Sequence, residues 1–314
     1  MINSFFNLLV FPGLLFAIIG GLAFEYVDRK VHARMQNRMG PPWFQPFADM
    51  IKLLAKESIV PENADRRLFQ LAPIIALTAA VTSFLYIPLW KSQALYFFSG
   101  DLIVVFYLLT IPTMALFLAG WSATSLYSLI GAVRCLTQLF AYEVPFFMGL
   151  LAPCILADTW SLSGVADYYQ KTPALALVNV IGFGVALIAL LGKLEKVPFD
   201  IPEAETEIVA GPLTEYSGWP LALFRLTFDI ELFVGASLLA AVFLPFGFNL
   251  PAPAAFLVYL LRLGVIVALI TLLRTLFARL RLEQMVNFCW KYLAPAALLQ
   301  LVINLCCKAF LNAG

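Results

Sequence analysis

Histidine is almost missing from this 314-residue chain, and His32 alone cannot build a two-histidine haem site, a zinc triad or a histidine relay. Cysteine is scarce and badly spaced for metal: Cys135, Cys154, Cys289, Cys306 and Cys307 include no C-x-x-C pair. No G-x-x-x-x-G-K-[ST] or G-x-G-x-x-G loop is present to cradle a nucleotide. Charged residues make up only 12% of the chain, whereas soluble domains carry about a quarter, so a soluble enzyme is excluded. Twenty Lys and Arg against 19 Asp and Glu leave a net charge of +1 and no general basic field for nucleic acid. No cofactor or metal is expected on this chain, and His32 and the thiols read as structural; any redox centre belongs on another polypeptide.

What the chain does have is long apolar runs, with 62% of its residues hydrophobic. A bilayer span needs about 20 such residues. Eight runs qualify, near 5–24, 68–90, 102–121, 140–156, 173–191, 220–246, 253–273 and 292–311. The expected fold is therefore an all-α integral membrane protein, a single polytopic domain over 1–314. The first run has no basic residue ahead of it and charged residues where a cleavage site would lie, so it reads as a retained helix rather than a signal peptide.

The position of positive charge sets the orientation. Arg29, Lys30, Arg34, Arg38, Lys52, Lys56, Arg66 and Arg67 follow the first run; Arg134, Lys193, Lys196, Arg274, Arg279, Arg281 and Lys291 follow the third, fifth and seventh. The other connections hold only Lys91 and Lys171. The odd loops are thus expected in the cytoplasm and both termini outside. Three of those loops stand out: 25–67, 192–219, which is acidic, and 274–291, which is basic. Within the first, Phe47, Met50, Ile51 and Leu54 recur at helical spacing. This predicts an amphipathic helix, either a membrane-surface anchor or the wall of a binding cavity.

Five ionisable residues stand out inside the runs, where charge is costly: Glu143, Arg225, Asp229, Glu231 and Arg262; Lys308 lies at the end of the last run. Arg225 and Asp229 are four residues apart and can pair on one helix face. Segment 193–218 carries six carboxylates against two lysines. Glu203 and Glu207 would share a helical face, with Glu205 between them, and like charges there would raise a pKa if the segment folds into the membrane surface. A solvated acidic loop is the alternative. The two halves of the chain show no repeat of the kind that builds many free-standing transporters.

Several stretches together carry a resemblance: Ala33-Arg-Met-Gln-Asn-Arg-Met-Gly-Pro41, Ala48-Asp-Met-Ile-Lys-Leu-Leu-Ala-Lys-Glu57, Pro198-Phe-Asp200 through Glu215-Tyr-Ser-Gly218, and Arg279-Leu-Arg-Leu-Glu-Gln284 followed by Trp290-Lys291. They resemble the complex I subunit 1 family, in all the long cytoplasmic loops and in order. The resemblance implies a non-catalytic membrane anchor beneath an electron-transfer arm. It implies proton-coupling acids at Glu143, Glu203, Glu205, Glu207, Glu215, Asp229 and Glu231. It also implies a docking or cavity face at Arg29, Lys30, Arg34, Arg38, Asp200, Arg279 and Arg281.

The shortened turn Gly40-Pro41-Pro42-Trp43-Phe44-Gln45 and the stretch Gly211-Pro-Leu-Thr-Glu-Tyr-Ser-Gly218 are similar to the branch found in membrane-bound nickel-iron hydrogenases of the energy-converting and formate hydrogenlyase type. Lys193 stands where the family has an acid, with Glu195 two residues on, so the quinone-site acids do not map one for one. The implied setting is a prokaryotic cytoplasmic membrane. The implied partners are hydrogenase large and small subunits, a ferredoxin-like iron–sulfur subunit and antiporter-like membrane subunits, with the iron–sulfur clusters and nickel-iron centre on those partners. The alternative is the quinone-chamber subunit of a complex I-type oxidoreductase.

Overall fold

A computed structural model describes residues 2–313, apart from the side chains of 2–5, 205–206 and 312–313. Helices and their connections account for the described residues. They run α1 (Ile2–Leu9), α2 (Leu14–Met35), α3 (Gln45–Ala55), α4 (Arg66–Phe84), α5 (Asp101–Ser122), α6 (Leu126–Ala157), α7 (Leu162–Lys171), α8 (Pro173–Ala176), α9 (Val180–Lys193), α10 (Glu205–Ile208), α11 (Gly218–Phe243), α12 (Ala252–Leu276), α13 (Leu282–Phe288) and α14 (Ala294–Ala313). Eight helical stretches are long and apolar enough to cross a membrane, as the hydropathy predicts. Backbone groups inside lipid must be satisfied within the segment, which is why the apolar runs become helices.

The helices extend beyond the hydropathy limits at three places. The first stretch runs over Phe6–Met35, the fourth over Leu126–Ala157 and the last over Leu282–Leu311, the last through one π-helical turn at Cys289–Leu293. Arg134 therefore lies on α6 rather than in a loop, and Glu25 and Asp28 lie on α2. Hydropathy stops at the first charge, but a helix continues if tertiary partners neutralise that charge.

Helix α11 is almost wholly buried and forms the axis of the bundle, with α2, α3, α4 and α12 packed against it. The exposed apolar side chains of the outer helices, Leu177, Leu257 and Phe310 among them, form the lipid-facing surface. Helix α3 uses both of its sides: Met50 is buried against the bundle, whereas Ile51 and Leu54 face outward. Segment 194–217 folds back over the basic face of the bundle. Gly131 on α6 permits this approach, because a Cβ there would come within 2.7 Å of the Gly211 Cα, and Gly211 itself has a positive φ of 53°.

Candidate functional site

A cavity of about 520 Å³ opens on the basic face between α2, α3, α11 and segment 194–203. Its lining is dominated by charge, since eleven of its seventeen residues are ionisable. One wall is a shared ion network. Lys196 Nζ lies 2.9 Å from Glu25 and 2.5 Å from Asp28, and Arg274 reaches the same Asp28 oxygen at 2.8 Å. Thr271 donates to the other Asp28 oxygen at 2.6 Å. Arg29 joins Glu25 at 2.8 Å to Asp49 of α3 at 3.0 Å. Burial opposes the Lys196 charge, yet Glu25 and Asp28 raise its pKa above the ordinary lysine value.

The lining also carries Glu195, Asp200 and Glu203. Glu195 has a left-handed φ of 51° at the end of α9, a turn that aims its carboxyl inward. Cys135 donates its thiol to Glu195 Oε1 at 3.4 Å, and Oε2 is buried without a hydrogen-bond partner. Burial, with the Glu203 charge second, pushes the Glu195 carboxyl up to about 8. Behind it, Lys193 Nζ sits 2.7 Å from Glu231 in a pair only 3% and 2% exposed. Lys193 is also the charged group that acts on half-buried Glu143.

The structure divides the residues singled out in the sequence. Asp229 lines the cavity, within the fields of Glu25, Lys196, Arg29 and Arg225. Arg225 does not hydrogen-bond Asp229, as their spacing allowed; its Nη1 donates to Glu203 at 3.1 Å. Glu203 and Glu207 do not share a helical face either, because α10 begins only at Glu205, after Pro202. Glu207 projects outward to Arg134 at 2.5 Å and Arg279 at 3.5 Å. The hydrogen bond from Arg134 lowers the Glu207 pKa, so the raised value expected for this segment falls on Glu195 instead. Glu215 is half-exposed and lies away from the cavity. The side chain of Glu205 lies outside the described residues.

The basic residues divide in the same way. Arg29 belongs to the cavity network, and Lys30 donates to the Met39 and Pro41 carbonyls, folding the short 36–44 turn back onto α2. Arg34, Arg38 and Arg281 are exposed, while Arg279 is engaged with Glu207. Asp200 lines the cavity. His32 bonds Thr275 Oγ1 at 2.9 Å and Gln36 at 3.1 Å, tying α2 to α12.

Sequence reading missed Glu25, Asp28, Asp49, Lys196 and Arg274 as site residues; it noted Lys193 and Glu195 only as a topological charge and a displaced family acid, and assigned neither to the site. The available signal was the i, i+3, i+4 series Glu25, Asp28 and Arg29, which puts three charges on one face of a helix continuing past the apolar run. Among the described residues, no cluster of three His, Cys, Asp or Glu side chains has the geometry to hold a metal ion.

Comparison with known proteins identifies the scaffold. A family model described as NADH dehydrogenase matches residues 8–305. The H subunit of NADH-quinone oxidoreductase from Carboxydothermus hydrogenoformans is 35% identical, covering 96% of this chain and 89% of that protein. Its counterpart in Bacillus cereus is 34% identical, covering 96% and 95%. Among solved structures, a chain of the membrane-bound sulfane sulfur reductase, an archaeal respiratory membrane complex, superposes with a TM-score of 0.82 at 26% identity, covering 92% of this chain and 96% of that one. The chain belongs to the family of NADH-quinone oxidoreductase H subunits, within the complex I-related membrane oxidoreductases.

Proposed function

We propose that this chain is the anchor and coupling subunit of a membrane-bound nickel-iron hydrogenase complex, linking electron transfer in docked soluble subunits to proton or sodium movement. The observation that carries this reading is the charge-lined cavity on the basic face. Small-molecule pockets are mostly apolar with a few polar groups. Here the uncharged lining is Pro46, Met50, Leu53, Leu194, Val197 and Phe228, with a single aromatic ring. Such a lining suits water and ions around its eleven ionisable side chains. The short Gly40–Gln45 turn and the likeness to a sulfane sulfur reductase chain support the same side of the family.

In this reading, hydrogenase large and small subunits and a ferredoxin-like subunit dock on the cytoplasmic face through exposed Arg34, Arg38 and Arg281. Those partners hold the iron–sulfur clusters and the nickel-iron centre, while antiporter-like subunits flank the chain in the bilayer. A unit charge arriving about 12 Å from Glu195 at an effective dielectric of about 20 contributes about 1.4 kcal/mol, a tenfold change in a protonation equilibrium. Glu195 takes up or releases a proton in response, and the Lys193–Glu231 pair with Glu143 relays the change laterally. Asp229 and Glu203 set the field within the cavity.

Isolation of the tagged chain from its native membranes tests the assignment. Co-purifying hydrogenase subunits with hydrogen-linked electron transfer are expected. An NADH-oxidising arm with inhibitor-sensitive quinone reduction would replace this reading by the alternative.

A further inference from the structure

Arg262 belongs to none of the networks described above. It lies on α12, about 15 Å along the helix from Ala252 and about 18 Å from Arg274. The side chain is 1% exposed, and among the described residues no carboxylate forms an ion pair with it. Nη1 donates to the Leu244 carbonyl beyond α11 at 2.9 Å, and Nη2 donates to the Leu89 carbonyl beyond α4 at 3.0 Å. The guanidinium carbon lies 4.5 Å from the Phe248 ring centre and 5.9 Å from that of Phe246. Nε is buried without a partner. Between this guanidinium and the cavity network at Thr271 and Asp28, α12 presents only buried Leu263, Ile266, Val267 and Ile270 to the bundle.

We propose that Arg262 is an electrostatic plug: its uncompensated cation, held across the far ends of α4 and α11, repels protons and metal cations and keeps the charged cavity from leaking to the opposite face of the membrane. Buried arginine without a counter-ion is costly in a bilayer and marks function by default, and a fixed arginine is a known way for a pore to exclude cations. The two carbonyls and two rings hold the charge in place without cancelling it. This proposal rests on the reading of the cavity as an ion-coupling site.

The test uses the complete complex in liposomes with no electron donor, reading the passive collapse of an imposed pH gradient with an enclosed dye. Arg262→Gln is expected to leak about tenfold faster, the effect of removing one charge about 10 Å from a passing ion at an effective dielectric of about 20. Arg262→Lys keeps the charge but loses the forked hydrogen bonds, and should remain nearly as tight as the wild type. A tight Gln variant, or a Lys variant as leaky as Gln, overturns the proposal, the latter because carbonyl clamping alone would then explain the seal. If Arg262→Gln does not assemble, Tyr259→Glu, one turn away, supplies a neutralising carboxylate and is expected to leak by a similar factor; a tight Tyr259→Glu complex overturns the plug, as does failure of both variants to assemble. No turnover is involved, so a negative result leaves the coupling reading standing. An error in that reading shows separately, as a tight wild-type complex that moves no ions during electron transfer.

Discussion

At the basic face, polarity is carried by ionisable groups that share partners, as where Lys196 and Arg274 both hold Asp28. Towards the other end, α6, α9 and α14 meet around amides. Asn304 donates to the Asn179 side chain at 2.7 Å and to the Ala152 carbonyl at 2.6 Å, and Gln300 donates to Asn304 at 2.8 Å while accepting from Gly182 at 3.2 Å. Both clusters bring buried polar groups together, but amides do not exchange protons near neutral pH. The contrast teaches which half can respond to charge in a neighbour: the first can change state, and the second only holds helices together. Asp101 is an acid in the second half, but its carboxylate is fixed by the Leu162 amide at 2.6 Å and the Ser161 hydroxyl.

The largest expected effect that could break this contrast is at Asp28. Asp28→Ala leaves Lys196 and Arg274 short of a buried counter-charge, so a loss of roughly 3–5 kcal/mol is expected in thermal unfolding of the detergent-purified complex. Lys193→Met should cost about as much, because it strands Glu231; the double variant Lys193→Met/Glu231→Met should recover most of that loss, since an apolar pair of similar volume replaces the ions. Incomplete recovery would measure the bond that Lys193 Nζ also donates to the Leu109 carbonyl. Asn304→Ala, in the amide cluster, is expected to cost only about 1–3 kcal/mol and to leave ion coupling per electron unchanged.

Smaller effects concern pH and the rim. With its carboxyl raised to about 8, folded Glu195 keeps a proton that the unfolded chain has released. Its stabilising contribution is full below the ordinary carboxylate range and is lost as pH rises through about 8. Glu195→Gln should flatten that part of the stability profile, measured as melting temperature against pH. At the rim, Glu207 is 48% exposed, so Glu207→Gln should change stability by less than about 1 kcal/mol despite its two cations.

The membrane class, the number of spans and the amphipathic α3 were legible because lipid imposes helices on any long apolar run and 3.6-residue periodicity survives in loops. Helix α3 also shows what was not legible: Met50 turns to the cavity and Ile51 to the outside, so the helix walls the cavity with one side and exposes the other. The acidic segment announced its carboxylates but not their partners, since Arg225, Arg134 and Arg279 reach Glu203 and Glu207 from distant parts of the chain. Glu25 and Asp28 were hidden by the rule that ends a span at its first charge. Arg29 is a local partner of Glu25, but Lys196 and Arg274 lie more than 160 residues away, beyond any local pattern.

Counting ions moved per electron by the reconstituted complex, wild type against Glu195→Gln, addresses the cavity's role most directly. A reduced ratio while the arm remains bound is the outcome predicted for a proton-exchanging group in the cavity. An unchanged ratio in a fully assembled Glu195→Gln complex would contradict it.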